Sequence, residues 1–428
     1  MSKLSEISLM ITKGTTPSTI GKKFEKTGVR FVKAENIISK YLDLDDTEYI
    51  SEETHKLLKK SQIQENDLLF TIAGYLGRIS IVRKEDLPLN TNQAVAIIRL
   101  DETKVNPHYV YYYLKQTHIN KYINGLSAQS AQPNLNLALL GKIDIPMIPM
   151  YEQNRIVQIL SQIDCKIYNN NLINAQLKLL SKTIYDYWFL QFEFPNEEGK
   201  PYKSSGGKMI WNEELKREIP EGWNAKLMVK CIEHIKTGLN PRKNFKLNNG
   251  GNIKYITVKN ITKDGKLDFT GCDYIDEDAR NIVHNRSDVN INDILFASIA
   301  PLGRCYLVLD KPNDWDINES VFSIRPNLKN ITSEYLYMFL TSDYFVKKSE
   351  HESTGSVFNG IRITNLENML LLLPSKEILF KFSNIAKKLF NERNEIEKQN
   401  QQLESLRDFL LPLLMNGQVT FKKDDENA

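Results

Sequence analysis

Two arginines in short turns have side chains suited to reading a nucleic acid. Arg78 ends the segment AGYLGR (73–78), and Arg304 ends the segment APLGR (300–304). A guanidinium presented by such a turn can donate two parallel hydrogen bonds to a phosphate or to a guanine base. A structural salt bridge within the fold explains the same residues equally well, so both interpretations stay open.

Two polar loops carry amide and hydroxyl groups of the kind that contact DNA. Residues 127–136 read SAQSAQPNLN, and residues 353–362 read STGSVFNGIR. Amides can pair with adenine edges and hydroxyls with phosphate, although many loops of this composition are only solvated turns. We favour DNA contact. The candidates in these loops and in the NTNQ turn are Gln129, Gln132, Asn134, Ser356, Asn359, Arg362, Asn92 and Gln93.

Two basic pairs follow Gly-x-x-Pro turns. Lys22 and Lys23 follow the first turn, and Arg242 and Lys243 follow the second. Basic side chains in these positions would contact phosphates, whereas lysine pairs usually mark ordinary solvated surface. We include all four residues among the candidate DNA contacts.

Other residues that can take part in chemistry are better explained by structure. The tyrosines of YVYYY (109–113) could stack on bases, but on a helix they more often fill a core, and we predict a core. The six histidines have no metal-ligand spacing, so we predict no metal site. The string NPHY (106–109) resembles the base-binding loop of an amino-methyltransferase only remotely, and it suits a helix start better. We find no phosphate-binding loop and no nuclease constellation, so we predict no catalytic residues.

The chain contains an internal duplication. The Gly-x-x-Pro turns at 14–17 and 238–241 are 224 residues apart, and NDLLF (66–70) and NDILF (292–296) are 226 apart. Self-similarity at a long period indicates a repeated structural unit. Within each copy, short β-branched runs alternate with helical stretches, so we expect two α/β (α+β) domains related by a pseudo-twofold repeat.

Each copy ends in a long helical pattern with a heptad seam. Two equal seams in one chain can each bury their apolar stripe by pairing, and we predict an antiparallel coiled coil. Asn170 would then face Gln399 and form a polar layer that helps fix the register. The predicted rod is about 46 Å long at ~1.5 Å per residue, comparable to roughly 13 base pairs of duplex. The predicted seam residues are Ile156, Ile159, Ile163, Ile173, Leu177, Leu180, Ile184 and Tyr187, with Phe382, Ile385, Leu389, Ile396, Leu403, Leu406, Leu410 and Leu413.

These patterns divide the chain into alternating domains and helices. The predicted parts are a first domain (1–150), a first spacer helix (151–193), an exposed connector (194–222), a second domain (223–374), a second spacer helix (375–416) and a tail (417–428), in which KKDDENA (422–428) is predicted to be disordered. The net charge is +3, which decides nothing about partners. No apolar run approaches the ~20 residues of a membrane span, and MSKLSEISLM is not a secretory signal. We therefore expect a cytoplasmic protein.

The order of these features resembles the specificity subunits of Type I restriction-modification enzymes over nearly the whole chain. The resemblance rests on the duplicated domains and heptad helices together with YDYWFLQFEFP (185–195), GKPYKSSGG (199–207) and IPEGW (219–223). It implies a prokaryotic, non-catalytic subunit in which each target recognition domain reads one half of a bipartite, asymmetric site in double-stranded DNA. The two copies have diverged, as LNTNQ (89–93) against WDINE (315–319) illustrates, so we expect two different half-sites.

The resemblance also implies partners. Two methyltransferase subunits would dock on the helices, and restriction (translocase) subunits would join through them. S-adenosylmethionine, ATP and Mg²⁺ would be bound by those partners, and no cofactor by this chain. One alternative is a scaffold that assembles proteins without reading DNA, and salt-dependent duplex binding would oppose it. A self-sufficient restriction enzyme is a second alternative, but the chain lacks the length and motifs for it.

Overall fold

A computed structural model describes residues 1–127, 135–242, 244–248, 250–301, 303–353 and 360–419. The chain forms two compact units. Unit 1 comprises Met1–Asn170 together with Gln399–Ala428, and unit 2 comprises Asn171–Lys398. The two long helices do not form compact units of their own. Each unit includes half of each helix, since each half buries its apolar side against the nearby domain.

Unit 1 is a mixed α/β domain. Its elements are β1 (Ser2–Lys3), β2 (Ser8–Lys13), β3 (Val29–Val32), β4 (Glu48–Ile50), α1 (Glu52–Leu57), β5 (Leu68–Thr71), β6 (Ile79–Ile81), β7 (Leu89–Thr91), β8 (Val95–Leu100), α2 (Pro107–Leu114), α3 (Thr117–Ser127), α4 (Leu137–Gly141), β9 (Asp144–Ile145) and the start of α5 (Met150–Tyr185). One sheet has the order β2-β8-β5-β6, all antiparallel, and a second has the order β4-β3-β7, with β3 and β7 parallel. β5 and β8 are almost entirely buried, which explains their continuous apolar sequences.

Unit 2 repeats this topology. Its elements are the end of α5, β10 (Met209–Asn212), β11 (Arg217–Pro220), β12 (Asn224–Leu227), β13 (Ile232–Thr237), β14 (Ile253–Ile256), β15 (Asp273–Ile275), α6 (Glu277–Ser287), β16 (Ile294–Ala297), β17 (Cys305–Leu307), β18 (Trp315–Ile317), β19 (Val321–Pro326), α7 (Ser333–Leu340), α8 (Asp343–Ser353), α9 (Ile363–Glu367), β20 (Leu370–Leu373) and the start of α10 (Lys376–Met415), which ends in unit 1. The sheets have the orders β13-β19-β16-β17 and β15-β14-β18, matching unit 1 strand for strand. The predicted duplication of α/β domains is confirmed.

The tyrosine cluster of α2 lies in the core of unit 1. Tyr109, Tyr111 and Tyr112 are fully buried and Tyr113 is nearly so. The helix begins as predicted, because Asn106 Oδ1 accepts the N–H of His108 at 2.8 Å and proline occupies the first helical position. The prediction of a core rather than a stacking platform is confirmed.

Within unit 1, α5 and α10 pair antiparallel through polar contacts as well as apolar ones. Asn170 Nδ2 lies 2.8 Å from both Gln399 Oε1 and Asn400 Oδ1. Arg407 Nη1 donates to Asp164 Oδ1 at 3.1 Å, one to two turns further along. Of the two amides facing Asn170, Asn400 is buried and Gln399 is exposed, so the interior of the polar layer is an Asn–Asn contact.

The predicted seam is partly wrong. Leu180 of α5 is 47% exposed and Leu406 of α10 is 46% exposed, although both were placed in the seam. Asn174 and Ser181, one residue further on than the predicted Ile173 and Leu180, are buried instead. Buried and half-buried positions of the two helices nevertheless repeat every seven residues, as at Leu160, Ile167, Asn174 and Ser181 of α5. The heptad period therefore holds, and one of its two seam positions lies one residue later than predicted.

The connector is a folded element of unit 2, not an exposed linker as predicted. β10 and β11 form an antiparallel hairpin, and Phe194, Ile219 and Trp223 are buried in the core of the unit. The rings of Phe194 and Trp223 stack with centroids 4.8 Å apart. Charged and glycine residues fill the turns, and the aromatic residues between them secure the segment.

Candidate nucleic-acid interface

Backbone hydrogen bonds join four loops at one end of the sheets of unit 1. The turn after β2 bonds to the segment between β7 and β8, where Thr15 N donates to Thr91 O at 3.0 Å. The loop after β5 bonds to the same segment, where Ile72 N donates to Ala94 O at 2.9 Å. Leu135 N, just beyond the polar loop, donates to Ile72 O at 2.9 Å. The described residues of these loops therefore lie side by side.

Unit 2 has the same arrangement. Gly238 N donates to Asn318 O at 3.1 Å, and Ser298 N donates to Ser320 O at 3.0 Å. Ile361 N, just beyond the second polar loop, donates to Ser298 O at 2.8 Å. The two copies thus build one loop scaffold from different side chains.

We call this end of each unit its loop edge. In unit 1 it consists of residues 14–17, 72–78, 91–94 and 135–136, and in unit 2 of residues 238–241, 298–301, 303–304, 317–320 and 360–362. Loops held by a rigid sheet are the usual location of binding residues. Five of the eight described residues that the sequence named as candidate DNA contacts lie in the loop edges: Arg78, Asn92, Gln93, Arg304 and Arg362.

The Gly-x-x-Pro turns begin with glycine because the backbones meet there. A Cβ at Gly14 would lie 2.0 Å from Thr91 O, and a Cβ at Gly238 would lie 1.7 Å from Ile317 O. No other residue fits without separating the turn from the neighbouring strand. The repeated glycines therefore serve the scaffold and not a ligand.

Arg78 is exposed on the loop edge of unit 1. Its guanidinium carbon lies 4.0 Å from the centre of the Tyr75 ring, which is itself 53% exposed. Among the described residues no carboxylate pairs with Arg78, so the salt-bridge interpretation finds no support there. The backbone of Arg78 is held by Thr71, whose Oγ1 accepts its N–H at 2.8 Å.

Arg304 is oriented differently in unit 2. Its Nη1 donates to the backbone oxygen of Ile261 at 3.3 Å, and the side chain is half-buried. Pro301 stands where unit 1 has Tyr75, and Ala297 stands where unit 1 has Thr71. The two arginines share a sequence position but not a role.

Asn92 and Gln93 lie in the turn before β8. Asn92 Oδ1 accepts the N–H of Ala94 at 3.1 Å, so this side chain shapes the turn. Gln93 is exposed, and its Oε1 accepts the hydroxyl of Thr16 from the adjacent loop. Gln93 is thus the better placed of the two to reach a ligand.

The basic residues differ in what they contact. Lys22 forms an ion pair with Glu53, with Nζ 2.9 Å from Oε1. Lys23 and Arg242 are exposed, and Arg242 has a φ of 24° in its turn. A surface ion pair such as that of Lys22 contributes little, so it would not prevent a phosphate contact.

Arg362 replaces a helix-capping residue. In unit 1 the equivalent Asn136 caps α4, where its Oδ1 accepts the N–H of Ala138 at 2.8 Å. Arg362 stands at the same position before α9, makes no capping bond through its side chain and is exposed. The copies therefore present different chemistry at equivalent points.

The remaining candidates lie outside the described residues. These are Gln129, Gln132, Asn134, Lys243, Ser356 and Asn359, and most of the predicted tail lies there too. Asn170 lies on α5 and Gln399 lies on α10, outside the residues of the loop edges. Sequence reasoning missed Tyr75 and Thr71, and the signal that could have found them is their replacement by Pro301 and Ala297 in the second copy.

Behind each loop edge, a histidine contacts the strand that leads to it. In unit 1, Asn90 Nδ2 lies 3.2 Å from His55 Nδ1, and burial lowers the pKa of His55. In unit 2 the equivalent residue is Asp316, whose Oδ2 lies 2.8 Å from His284 Nδ1. The hydrogen bond to this carboxylate raises the pKa of His284. In the described part of the chain, no group of three or more His, Cys, Asp or Glu residues is arranged to hold a metal.

Comparison with known proteins identifies the class. The family model of the Type I restriction modification DNA specificity domain matches residues 1–179 and 220–405. The chain is 26% identical over 417 residues to the Type I restriction enzyme MjaIX specificity subunit of Methanocaldococcus jannaschii, covering 95% of this chain and 90% of that one. It is 20% identical over 420 residues to the HindI specificity subunit of Haemophilus influenzae, covering 84% and 88%. Its fold is similar to that of the S subunit from M. genitalium, with a TM-score of 0.52 and 16% identity over 96% of this chain and 94% of that one.

The chain belongs to the Type I restriction modification DNA specificity family. The predicted family is confirmed, and with it the prediction of a DNA-recognition subunit. Membership also makes the chain a non-catalytic subunit, as expected from the sequence. Among the described helices, none has both the length and the apolar character needed to span a membrane.

Proposed function

We propose that each unit reads one half of a bipartite, asymmetric sequence in double-stranded DNA through its loop edge. The observation that supports this most directly is the shared loop scaffold with divergent side chains. The backbone bonds Ile72–Ala94 and Ser298–Ser320 are equivalent, whereas Arg78 and Arg362 each have no counterpart of the same geometry in the other unit. A duplicated scaffold with different exposed groups suits recognition of two different half-sites.

We further propose that the long helices set the spacing of the half-sites and dock two methyltransferase subunits. Leu180 in unit 2 and Leu406 in unit 1 are equivalent in the repeat and almost equally exposed. Apolar side chains left in solvent on a helix are typical of a protein-protein contact. Two equivalent positions would give two equivalent docking sites.

The chemistry of the complex would come from those partners. S-adenosylmethionine would be bound by the methyltransferase subunits, and ATP and Mg²⁺ by restriction (translocase) subunits that join through them. The function of this chain would be to direct adenine methylation and ATP-dependent cleavage to its site.

The first experiment maps methylated adenines in cells that express this chain with the methyltransferase subunit of its system. We expect one split motif, and we expect that replacing residues 1–150 by those of a relative changes only one half. Methylation that is unchanged when this chain is omitted would refute the proposal. So would a change in both halves after the replacement.

A second experiment tests the docking sites by native mass spectrometry of the complex. Leu180→Asp and Leu406→Asp should each reduce the number of bound methyltransferase subunits from two to one. Gln401→Asp, an exposed change on another face of α10, is the control and should leave two bound. Two subunits retained by both leucine variants would contradict this docking surface.

A further inference from the structure

We propose that Arg78, stacked on Tyr75, reads a guanine in the half-site recognised by unit 1. The inference rests on the proposed function and assigns one specificity-determining contact within it. It is carried by the geometry of the loop at 71–78 and by the contrast with the equivalent loop of unit 2.

The loop is held in one conformation by Thr71. Thr71 Oγ1 accepts the N–H of Arg78 at 2.8 Å and donates to the carbonyl of Tyr75. Thr71 N also donates to Arg78 O at 2.9 Å, while Gly74 and Gly77 provide the left-handed φ values of 74° and 88° that the turn needs. The backbone of Arg78 is therefore fixed before any ligand binds.

Tyr75 restrains the other end of the side chain. The guanidinium carbon of Arg78 lies 4.0 Å from the centre of the Tyr75 ring, so one face of the guanidinium packs against the ring. The hydrogen-bond donors point outward in the plane of the fork, and no carboxylate among the described residues neutralises them. A planar, fixed and unpaired fork matches the O6 and N7 acceptors of guanine in the major groove.

Unit 2 keeps the equivalent backbone bond, from Ala297 N to Arg304 O at 2.9 Å, but lacks the side-chain contacts that hold Arg78. Ala297 has no hydroxyl to hold the loop, Pro301 offers no aromatic ring, and Arg304 turns back to the carbonyl of Ile261 at 3.3 Å. A residue that served only the common scaffold would keep its contacts in both copies. The exposed stack of Tyr75 and Arg78 is specific to the first half-site.

The test compares substitutions in the complete methyltransferase complex by mapping its methylated motif. Arg78→Lys keeps the charge and removes the fork, so we expect a G·C pair at one position of the first half-site to become degenerate. A bidentate base contact contributes about 5- to 150-fold discrimination, and that preference should fall. Every position of the second half-site should stay unchanged.

Two further variants distinguish a loss of base recognition from a loss of folding. Tyr75→Phe retains the ring and should retain the motif, whereas Tyr75→Ala should weaken the same single preference by about 2- to 5-fold. Arg304→Lys is the matched control in unit 2 and should leave base preference intact at every position. Both tyrosine variants are exposed changes that leave the Thr71 bonds in place.

The outcomes are distinct. A wild-type complex without a split motif would refute the proposed function itself. A wild-type split motif that Arg78→Lys leaves intact would refute the guanine contact alone. A uniform loss of affinity, with a smaller salt dependence and no change in motif, would mean that Arg78 binds phosphate, and this would also overturn the proposal.

Discussion

Arg99 holds the buried carboxylate of Asp67 with two hydrogen bonds, from Nε to Oδ1 at 2.9 Å and from Nη2 to Oδ2 at 2.7 Å. Arg325 holds Asp293 in the same bidentate way in unit 2, at 2.8 and 2.9 Å. Both pairs join the end of one strand to the loop before another strand of the same sheet. The repeat has kept this clamp although most surface residues diverged, which indicates a structural function.

Removing the clamp should destabilise unit 1 strongly. Asp67 is fully buried, so Asp67→Ala leaves the Arg99 guanidinium with only the Gln62 carbonyl as acceptor and without a counter-charge, and should cost about 3–5 kcal/mol of unfolding free energy. Urea denaturation, with hydrogen exchange of the β5 and β8 amides, measures the loss. Glu65→Ala, an exposed neighbour, is the control and should change stability by less than ~0.5 kcal/mol. A cost below 1 kcal/mol for Asp67→Ala would mean that the clamp contributes little.

The histidines behind the loop edges should respond oppositely to pH. The pKa of His284 is raised in the folded protein. The stability that its pair with Asp316 contributes is therefore fully present below the unfolded-state pKa of about 6.5, and it is lost as pH rises through the folded-state pKa. Burial lowers the pKa of His55. The stability that the neutral imidazole contributes is therefore present above about pH 6.5, and it is lost as pH falls through the folded-state pKa. NMR titration of the two imidazoles measures both directions.

Asp316→Asn gives the matched control for this pair. It converts the carboxylate of unit 2 into the amide that unit 1 carries as Asn90, while an oxygen remains to accept the hydroxyl of Ser287. The pKa of His284 should then fall, and the stability of unit 2 should no longer decline as pH rises above about 6.5. An unchanged pKa for His284 would show that Asp316 does not cause the raised pKa.

Gly14→Ala should impair reading of the first half-site without unfolding the sheets. The new Cβ would meet Thr91 O at 2.0 Å, so the turn after β2 must move away from the segment that carries Gln93. We expect the methylated motif to lose base preference in one half only, together with a loss of thermal stability. Gly21→Ala is a control in the same region, because a Cβ there meets no atom within 4 Å, although its φ of 72° adds some backbone strain. Equal effects of the two substitutions would argue against a steric cause.

The sequence predicted the parts of the structure that depend on repeated or strongly patterned residues. The duplication, the α/β units, the start of α2 at Pro107 and the buried tyrosines all follow from periodicity and capping. The seam failed where the buried position is polar, as at Asn174 and Ser181, because the apolar residues just before them, Ile173 and Leu180, are exposed. The different roles of Arg78 and Arg304 could not be predicted from their shared motif, since they depend on contacts with Tyr75 and Ile261.

A buried charge network joins the core of unit 1 to both long helices. Lys40 Nζ donates to Tyr112 Oη at 2.8 Å and lies 3.4 Å from Asp164 Oδ2. Tyr112 also donates to Asp164, and Arg407 Nη1 lies 3.1 Å from Asp164 Oδ1. Although burial opposes it, the surrounding charges of Lys40 and Arg407 and the bond from Tyr112 lower the pKa of Asp164. In unit 2 the residue equivalent to Asp164 is Phe390, whose ring packs 5.4 Å from that of Tyr337.

The contrast between the two units predicts non-additive substitutions. Asp164→Ala alone should cost about 3–5 kcal/mol, because it leaves Lys40 and Arg407 buried without their shared acceptor. Lys40→Met, Tyr112→Phe, Asp164→Leu and Arg407→Met combined should be neutral or stabilising by about 1–4 kcal/mol, since an apolar cluster of similar volume then fills the site. Urea denaturation of the single and combined variants measures both values. If the combined variant is less stable than Asp164→Ala, the charged network stabilises unit 1 more than an apolar cluster of the same volume would. The comparison with Phe390 would then not hold.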